Sequence, residues 1–133
     1  MSQENVEIAQ QHIEAYNRVD VDALVALVSP DVAWEDAVFG SEPVRVYRGK
    51  AEVREWFSKV IEPWASFHIE VEETEAVDDR VFLGGVLTTR GKGSGVETEA
   101  RGWFVLWVAD SKITRRQVFL DRNEALEAAG LRD

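Results

Sequence analysis

The hydrophobic period of this chain changes once, from helical to alternating, and that switch sets the class of fold open to it. In the first half apolar residues recur every three or four positions. Val6, Ala9, Ile13 and Tyr16 mark a helix over residues 3–18. Val21, Leu24, Val25 and Val28 mark a short second helix, stopped by Pro30. A third carries Val53, Trp56, Phe57, Val60 and Ile61, opens at Gly49 and ends at Pro63. Between the second and third, Asp31 to Asp36 reads as a strand, and Ala37 to Arg48 as loop with at most a brief strand.

From Phe67 onward the period is two. Phe67, Ile69 and Val71 alternate with polar residues, Asp78-Asp79 makes a turn, and Val81 to Arg90 returns as the next strand. The glycine-rich stretch Gly91 to Gly95 joins it to a long strand over residues 96–109. Asp110-Ser111 then turns the chain into a last strand from Ile113 to Leu120. Asp121 with Glu124 opens a short helix that ends before Gly130. Helices grouped ahead of consecutive strands predict an α+β domain, one curved, mostly antiparallel sheet with three N-terminal helices packed inside its bend.

The run Gly102-Trp103-Phe104-Val105-Leu106-Trp107-Val108 is apolar on both alternating faces, so both sides of that strand need a cover. Helices and a pocket serve one side. The expected cover on the other is a second copy of the chain, a homodimer through the sheet, or else a C-terminal helix folded across it.

Composition narrows the function. The 133 residues fit one domain over 1–133, and the net charge of −10 argues against nucleic acid and anionic membranes as partners. There is no cysteine, and the opening Met-Ser-Gln-Glu-Asn lacks the features of a secretory leader, so a cytoplasmic protein is expected. His12 and His68 sit on different elements without convergent ligands, which predicts no metal site. The Gly91-Lys92-Gly93-Ser94-Gly95 loop lacks the spacing that cradles phosphate.

Three segments carry a family resemblance. Ala15-Tyr16-Asn17-Arg18-Val19-Asp20 with the following Val21 to Leu27 resembles the opening of nuclear-transport-factor-2-like (NTF2-like) proteins. Val32-Ala33-Trp34-Glu35-Asp36 with Gly40-Ser41-Glu42-Pro43 resembles a segment of the ketosteroid isomerases. Phe119 to Leu131 resembles the end of many SnoaL-like bacterial proteins. The resemblance implies a cone-shaped NTF2-like domain around a hydrophobic pocket. Its activities range from isomerases, cyclases, hydrolases and dehydratases to binders without turnover.

The isomerase resemblance puts the general base at Asp36. A carboxylate beside Trp34 and Phe39 is partly desolvated, which suits it to take a proton from carbon. Where the isomerases hold an oxyanion with a tyrosine and a protonated aspartate, the resemblance puts His12 and Trp103 in this chain, or a neighbour of Trp103 if the turn slips by one. An imidazole or an indole N–H still donates, but losing a strong donor costs about 2.7–4 kcal/mol of transition-state stabilisation.

The candidate catalytic residues are thus Asp36 and His12. The candidate ligand-binding residues are Tyr16, Trp34, Phe39, Trp56, Phe57, Trp64, Arg101 and Trp103. Each has a plainer reading: a turn aspartate, a buried histidine and tyrosine, core aromatics, and a surface ion pair for Arg101 with Glu99. Asp121 is chiefly a helix cap. An epoxide-hydrolase variant needs Asp36, Arg101 and Asp121 to converge on water. The expected function is cofactor-free acid–base chemistry on a small hydrophobic carbonyl compound. The alternatives are a binding protein without turnover and an interaction module acting through the sheet face.

Overall fold

A computed structural model describes residues 2–36 and 45–131. The elements run α1 (Ser2–Asn17), α2 (Val21–Ala26), β1 (Val28–Asp36), β2 (Arg45–Arg48), α3 (Gly49–Ile61), β3 (Trp64–Val77), β4 (Arg80–Gly91), β5 (Glu97–Ala109), β6 (Lys112–Phe119) and α4 (Arg122–Ala129). The six strands form one curved sheet in the order β2-β1-β6-β5-β4-β3, antiparallel throughout except where β1 runs parallel to β6. This is the α+β architecture that the change of period predicts. Phe39, within 37–44, lies outside the described residues.

The turns follow local chemistry. Asp110 and Ser111 both take positive φ, 52° and 63°, as a two-residue hairpin loop requires, and Asp20 caps α2 by accepting from the Ala23 N–H at 3.0 Å. One boundary differs from the sequence reading. Val28 does not extend α2: the helix closes at Leu27, whose carbonyl accepts from the Ile113 N–H at 2.8 Å, so Val28 begins β1 beside Ile113. Pro30 then falls inside β1, where the pairing with β6 is interrupted between Val28 and Ala33, a place where its missing N–H is tolerated.

Curvature has a visible source. The β3–β4 register shifts between Val71 and Glu73, a bulge at Glu72 opposite Gly84 and Gly85. There β3 comes so close that a Cβ on Gly85 would sit 2.4 Å from the Glu70 carbonyl oxygen. Asn17 ties α1 to the same strand, donating to the Ile69 carbonyl at 2.9 Å and accepting from the Ile69 N–H at 2.7 Å. That clamp holds the last turn of α1, and Tyr16 with it, over the inner face of the sheet.

The two faces of β5 separate cleanly. Leu106 and Val108, with half-buried Phe104, join the main core of helices and inner sheet. Trp103, Val105 and Trp107 face the other way, into a second cluster with Phe82, Phe119, Ala125 and Ala129. Of the two covers expected for the doubly apolar strand, the chain itself supplies the C-terminal helix. Asp121 accepts from the Asn123 N–H at 2.9 Å to cap α4, and Gly130 closes it with φ 78°.

Candidate functional site

The register of β1 on β6 builds the site. Trp34 pairs with Arg116, so their side chains share the inner face of the sheet, and Asp36 follows two residues on along the same face. Arg116 is only 3% exposed. Its guanidinium carbon lies 4.6 Å from the Trp34 ring centre, 4.8 Å from Trp56, 5.2 Å from Phe104 and 5.9 Å from Tyr16. Its Nη1 donates to the Glu35 carbonyl at 2.8 Å. On the outer face the Glu35 carboxylate accepts from Arg115 and Gln117, so Glu35 pins β6 on both sides of Arg116.

Arg116 and the half-buried Asp36 border one apolar pocket of about 80 Å³, walled by Tyr16, Trp56, Phe67, Ile69, Phe104 and Val118. No carboxylate among the described residues forms an ion pair with Arg116. Of the five N–H donors of a guanidinium, only one on Nη1 has a protein acceptor among them. The Tyr16 hydroxyl and the indole N–H groups of Trp34 and Trp56 are likewise buried without a partner among the described residues. Buried polar groups are nearly always hydrogen-bonded, so such a concentration of unused donors at and behind one pocket marks a place for an acceptor that the described residues do not supply.

Electrostatics agree with that geometry. Burial pushes the Arg116 guanidinium below its ordinary value, while Tyr16 and Asp36 act the other way. Guanidinium pKa values lie so high that it remains a cation. Burial holds the Tyr16 phenol well above its usual range, so it stays a neutral donor. His12 is held well below 6.5, by burial first and then by the charge of Arg116, and is neutral. The Ala9 carbonyl acts weakly in the opposite direction, though neither ring nitrogen is in hydrogen-bond geometry with any described group.

The residues picked from the sequence divide as follows. Asp36, Tyr16 and Trp56 line the pocket. His12 lies behind that lining, fully buried, its ring 4.7 Å from Tyr16 and 5.6 Å from Trp34. Trp34 stacks on Arg116 from the core, and Phe57 packs behind Tyr16 and Trp56. Arg101 borders the pocket, but its guanidinium is exposed and paired with Glu72 rather than Glu99. Trp103 is on the opposite face of the sheet. Trp64 lines a second, more open hollow of about 470 Å³ with Val19, Ile61, Phe67 and Lys92. Asp121 is exposed at its helix cap, so it does not join Asp36 and Arg101.

Arg116 was not among the sequence candidates, and the reason is geometric. The β5–β6 register shifts between Trp107 and Val108, with Trp107 beside Arg115 and Val108 beside Ile113, which leaves Thr114 as an extra residue. Alternation counted forward from Ile113 therefore puts Arg116 outside. Counting back by two from Val118 puts it inside, and that is the signal that could have found it.

A six-stranded curved sheet wrapped around helices and an apolar pocket is the ketosteroid-isomerase-like, NTF2-like class of structure. The SnoaL-like domain model matches residues 9–116, and the chain belongs to that family. An NTF2-like protein of Burkholderia pseudomallei superimposes with a TM-score of 0.77 at 17% identity, covering 95% of this chain and 97% of that one. A protein with a ketosteroid isomerase-like fold from Catenulispora acidiphila, in complex with trimethylamine, gives 0.76 at 19% identity, covering 94% and 93%. SalBIII, described as an epoxide hydrolase/cyclase-like enzyme in pyran ring formation in the polyether salinomycin, gives 0.75 at 23% identity, covering 91% and 93%. No curated protein sequence matches. At these identities the likeness speaks for the fold.

Proposed function

We propose that the chain is an enzyme that moves a proton at carbon beside a carbonyl group, without a cofactor, in an isomerisation, cyclisation or dehydration. The observation that carries this reading is that a half-buried carboxylate, Asp36, and a buried guanidinium, Arg116, border one apolar pocket. Asp36 takes the proton from the carbon. The electron pair of the broken C–H bond becomes the C=C of an enolate, and the carbonyl π pair moves onto oxygen. Arg116, the Tyr16 hydroxyl and the Trp56 N–H supply hydrogen bonds to that oxygen, in a setting where one such donor is worth about 2.7–4 kcal/mol. The enolate then takes the proton back at another carbon, attacks a second carbonyl or expels a β-hydroxyl, and Asp36 ends each cycle ionised. A relative described as epoxide hydrolase/cyclase-like is in keeping with acid–base chemistry in this fold.

Deuterium uptake from heavy water into a panel of enolisable ketones tests the reading. Uptake lost in Asp36→Asn, with ligand-induced tryptophan quenching retained, supports it; uptake that persists in that variant removes Asp36 as the base. Quenching by ligand with no uptake in the native protein favours the second reading, a binding protein without turnover, for which the unused donors of the pocket suffice. A homodimer through the sheet is a further element of the proposal, supported by Trp103, Trp107 and Phe119 staying half-buried beside α4. A monomer by light scattering at micromolar concentration ends it, and with it the sheet-face interaction as a dimer contact.

A further inference from the structure

We infer that the ligand of this pocket is a short-chain oxo acid, bound as its anion with the carboxylate on Arg116. This rests on the pocket being the functional site, and not on turnover. Three observations converge. The first is charge: Arg116 is a buried cation with no ion pair among the described residues, and the Asp36 carboxylate on the same pocket acts on it from beyond ion-pair distance, so part of its charge is left for a ligand to meet. A buried charge without a counter-ion is costly, and a bound anion removes that cost.

The second is the shape of what is free. With Nη1 bonded to Glu35 and Nε enclosed, the N–H groups on Nη2 have no protein acceptor among the described residues and suit a carboxylate oxygen in a charge-assisted hydrogen bond. The indoles of Trp34 and Trp56 flank the guanidinium at 4.6 and 4.8 Å and keep water from competing. The Tyr16 hydroxyl and the Trp56 N–H remain for one further acceptor, which a ketone oxygen supplies.

The third is size. A pocket of about 80 Å³ holds roughly five to eight water-sized groups. That suits a short acid more closely than a fused-ring compound. The charge of the chain as a whole, −10, does not attract an anion, so selectivity for the acid comes from Arg116 alone.

The test compares 2-oxobutyrate with 2,3-pentanedione, its neutral counterpart of nearly the same shape, by tryptophan quenching and calorimetry on the full chain. The acid is expected to bind tighter by about tenfold or more. Arg116→Met, checked for a native circular-dichroism spectrum, is expected to lose that preference, the acid then binding no tighter than the diketone. Equal binding of acid and diketone by the native protein overturns the inference and needs no variant. So does a preference for the acid that survives in Arg116→Met. Deuterium exchange at C3 of the same acid keeps the two readings apart. Arg116-dependent binding without exchange leaves the inference standing and removes proton abstraction. Exchange into neutral ketones that bind as well as the acid does the reverse.

Discussion

Replacing Arg116 by methionine should make the ligand-free protein more stable while it destroys the site. In the native protein a guanidinium 3% exposed gives up its hydration and recovers one hydrogen bond, to the Glu35 carbonyl at 2.8 Å, and the faces of four aromatic rings. The residual penalty for burying an ion is several kcal/mol. Against it stand about 1.5–3 kcal/mol for the charge-assisted hydrogen bond and about 2 kcal/mol for the best-placed ring, the others adding less because they share one cation. Methionine fills similar space with a flexible apolar chain, keeps sulfur–aromatic contacts and carries no charge. Replacing buried ionic groups by apolar residues of like volume is often neutral or stabilising, by about 1–4 kcal/mol.

We therefore expect Arg116→Met to gain about 1–3 kcal/mol. For a domain of this size that raises Tm by roughly 3–10 °C. Thermal melts at pH 7 without ligand measure it, with Arg116→Lys as the control: lysine keeps the charge but not the planar fork, and should melt no higher than the native protein. A fall of several degrees in Arg116→Met would show that the guanidinium is a net structural support. The inference that it is held there at a cost for the sake of a ligand would then lose its energetic basis.

Tyr16→Phe removes a buried hydroxyl that has no partner among the described residues, so stability should stay level or rise, while deuterium uptake falls by about ten- to a hundredfold; a clear loss of stability would mean the hydroxyl is already bonded. His12 is neutral in the folded chain, its value depressed below 6.5, whereas the unfolded chain takes up a proton there as pH falls through about 6.5. Stability therefore drops toward acid, and between pH 7.5 and 5.5 urea titrations of the native protein should lose about 1.4 kcal/mol more than those of His12→Phe. Gly85→Ala places a methyl group against a backbone oxygen 2.4 Å away and should cost about 1–3 kcal/mol in denaturant titrations. Gly84→Ala should cost less, since the atoms it meets, on the Trp103 ring at 2.8 Å and the Glu73 carboxylate at 2.9 Å, belong to side chains rather than backbone.

The ease of reading the two charged groups of this site from sequence differs for a physical reason. Asp36 stands at the end of a strand whose own residues, Val32 and Trp34, set the inner face by simple alternation, so its position is encoded within a few residues. The turns at Asp78 and Asp110-Ser111, and both faces of β5 as apolar, are local in the same sense. Arg116 is not. Its inward aim depends on the extra residue at Thr114 and on the parallel pairing of β1 with β6, which brings Trp34 beside it from far away in the chain. The pattern around it, Thr114-Arg115-Arg116-Gln117, reads as a solvated strand, and a buried cation is the last thing such a pattern suggests. The choice between Trp103 and its neighbour is open in the sequence for another reason. The position rests on counting from a hairpin, and a slip of one residue exchanges the faces of a strand, as between Trp103 and Phe104.

These two cases bear on how the pocket came to be charged. The aromatics around Arg116 can also pack against leucine or methionine, at the loss of the cation–π contacts, and the Glu35 carbonyl that accepts from it can accept from a water instead. A core that admits a cation with no ion pair among the described residues has given up stability at one position, and the unused donors of Tyr16, Trp34 and Trp56 around it extend the same concession. Among the described residues the buried polar atoms without a partner gather here, with Arg80 Nε the one outside it. Such a concentrated failure is what a binding or catalytic site requires of its scaffold. It makes Arg116, which the sequence pattern hides, a stronger pointer to what the chain does than Asp36, which the pattern displays.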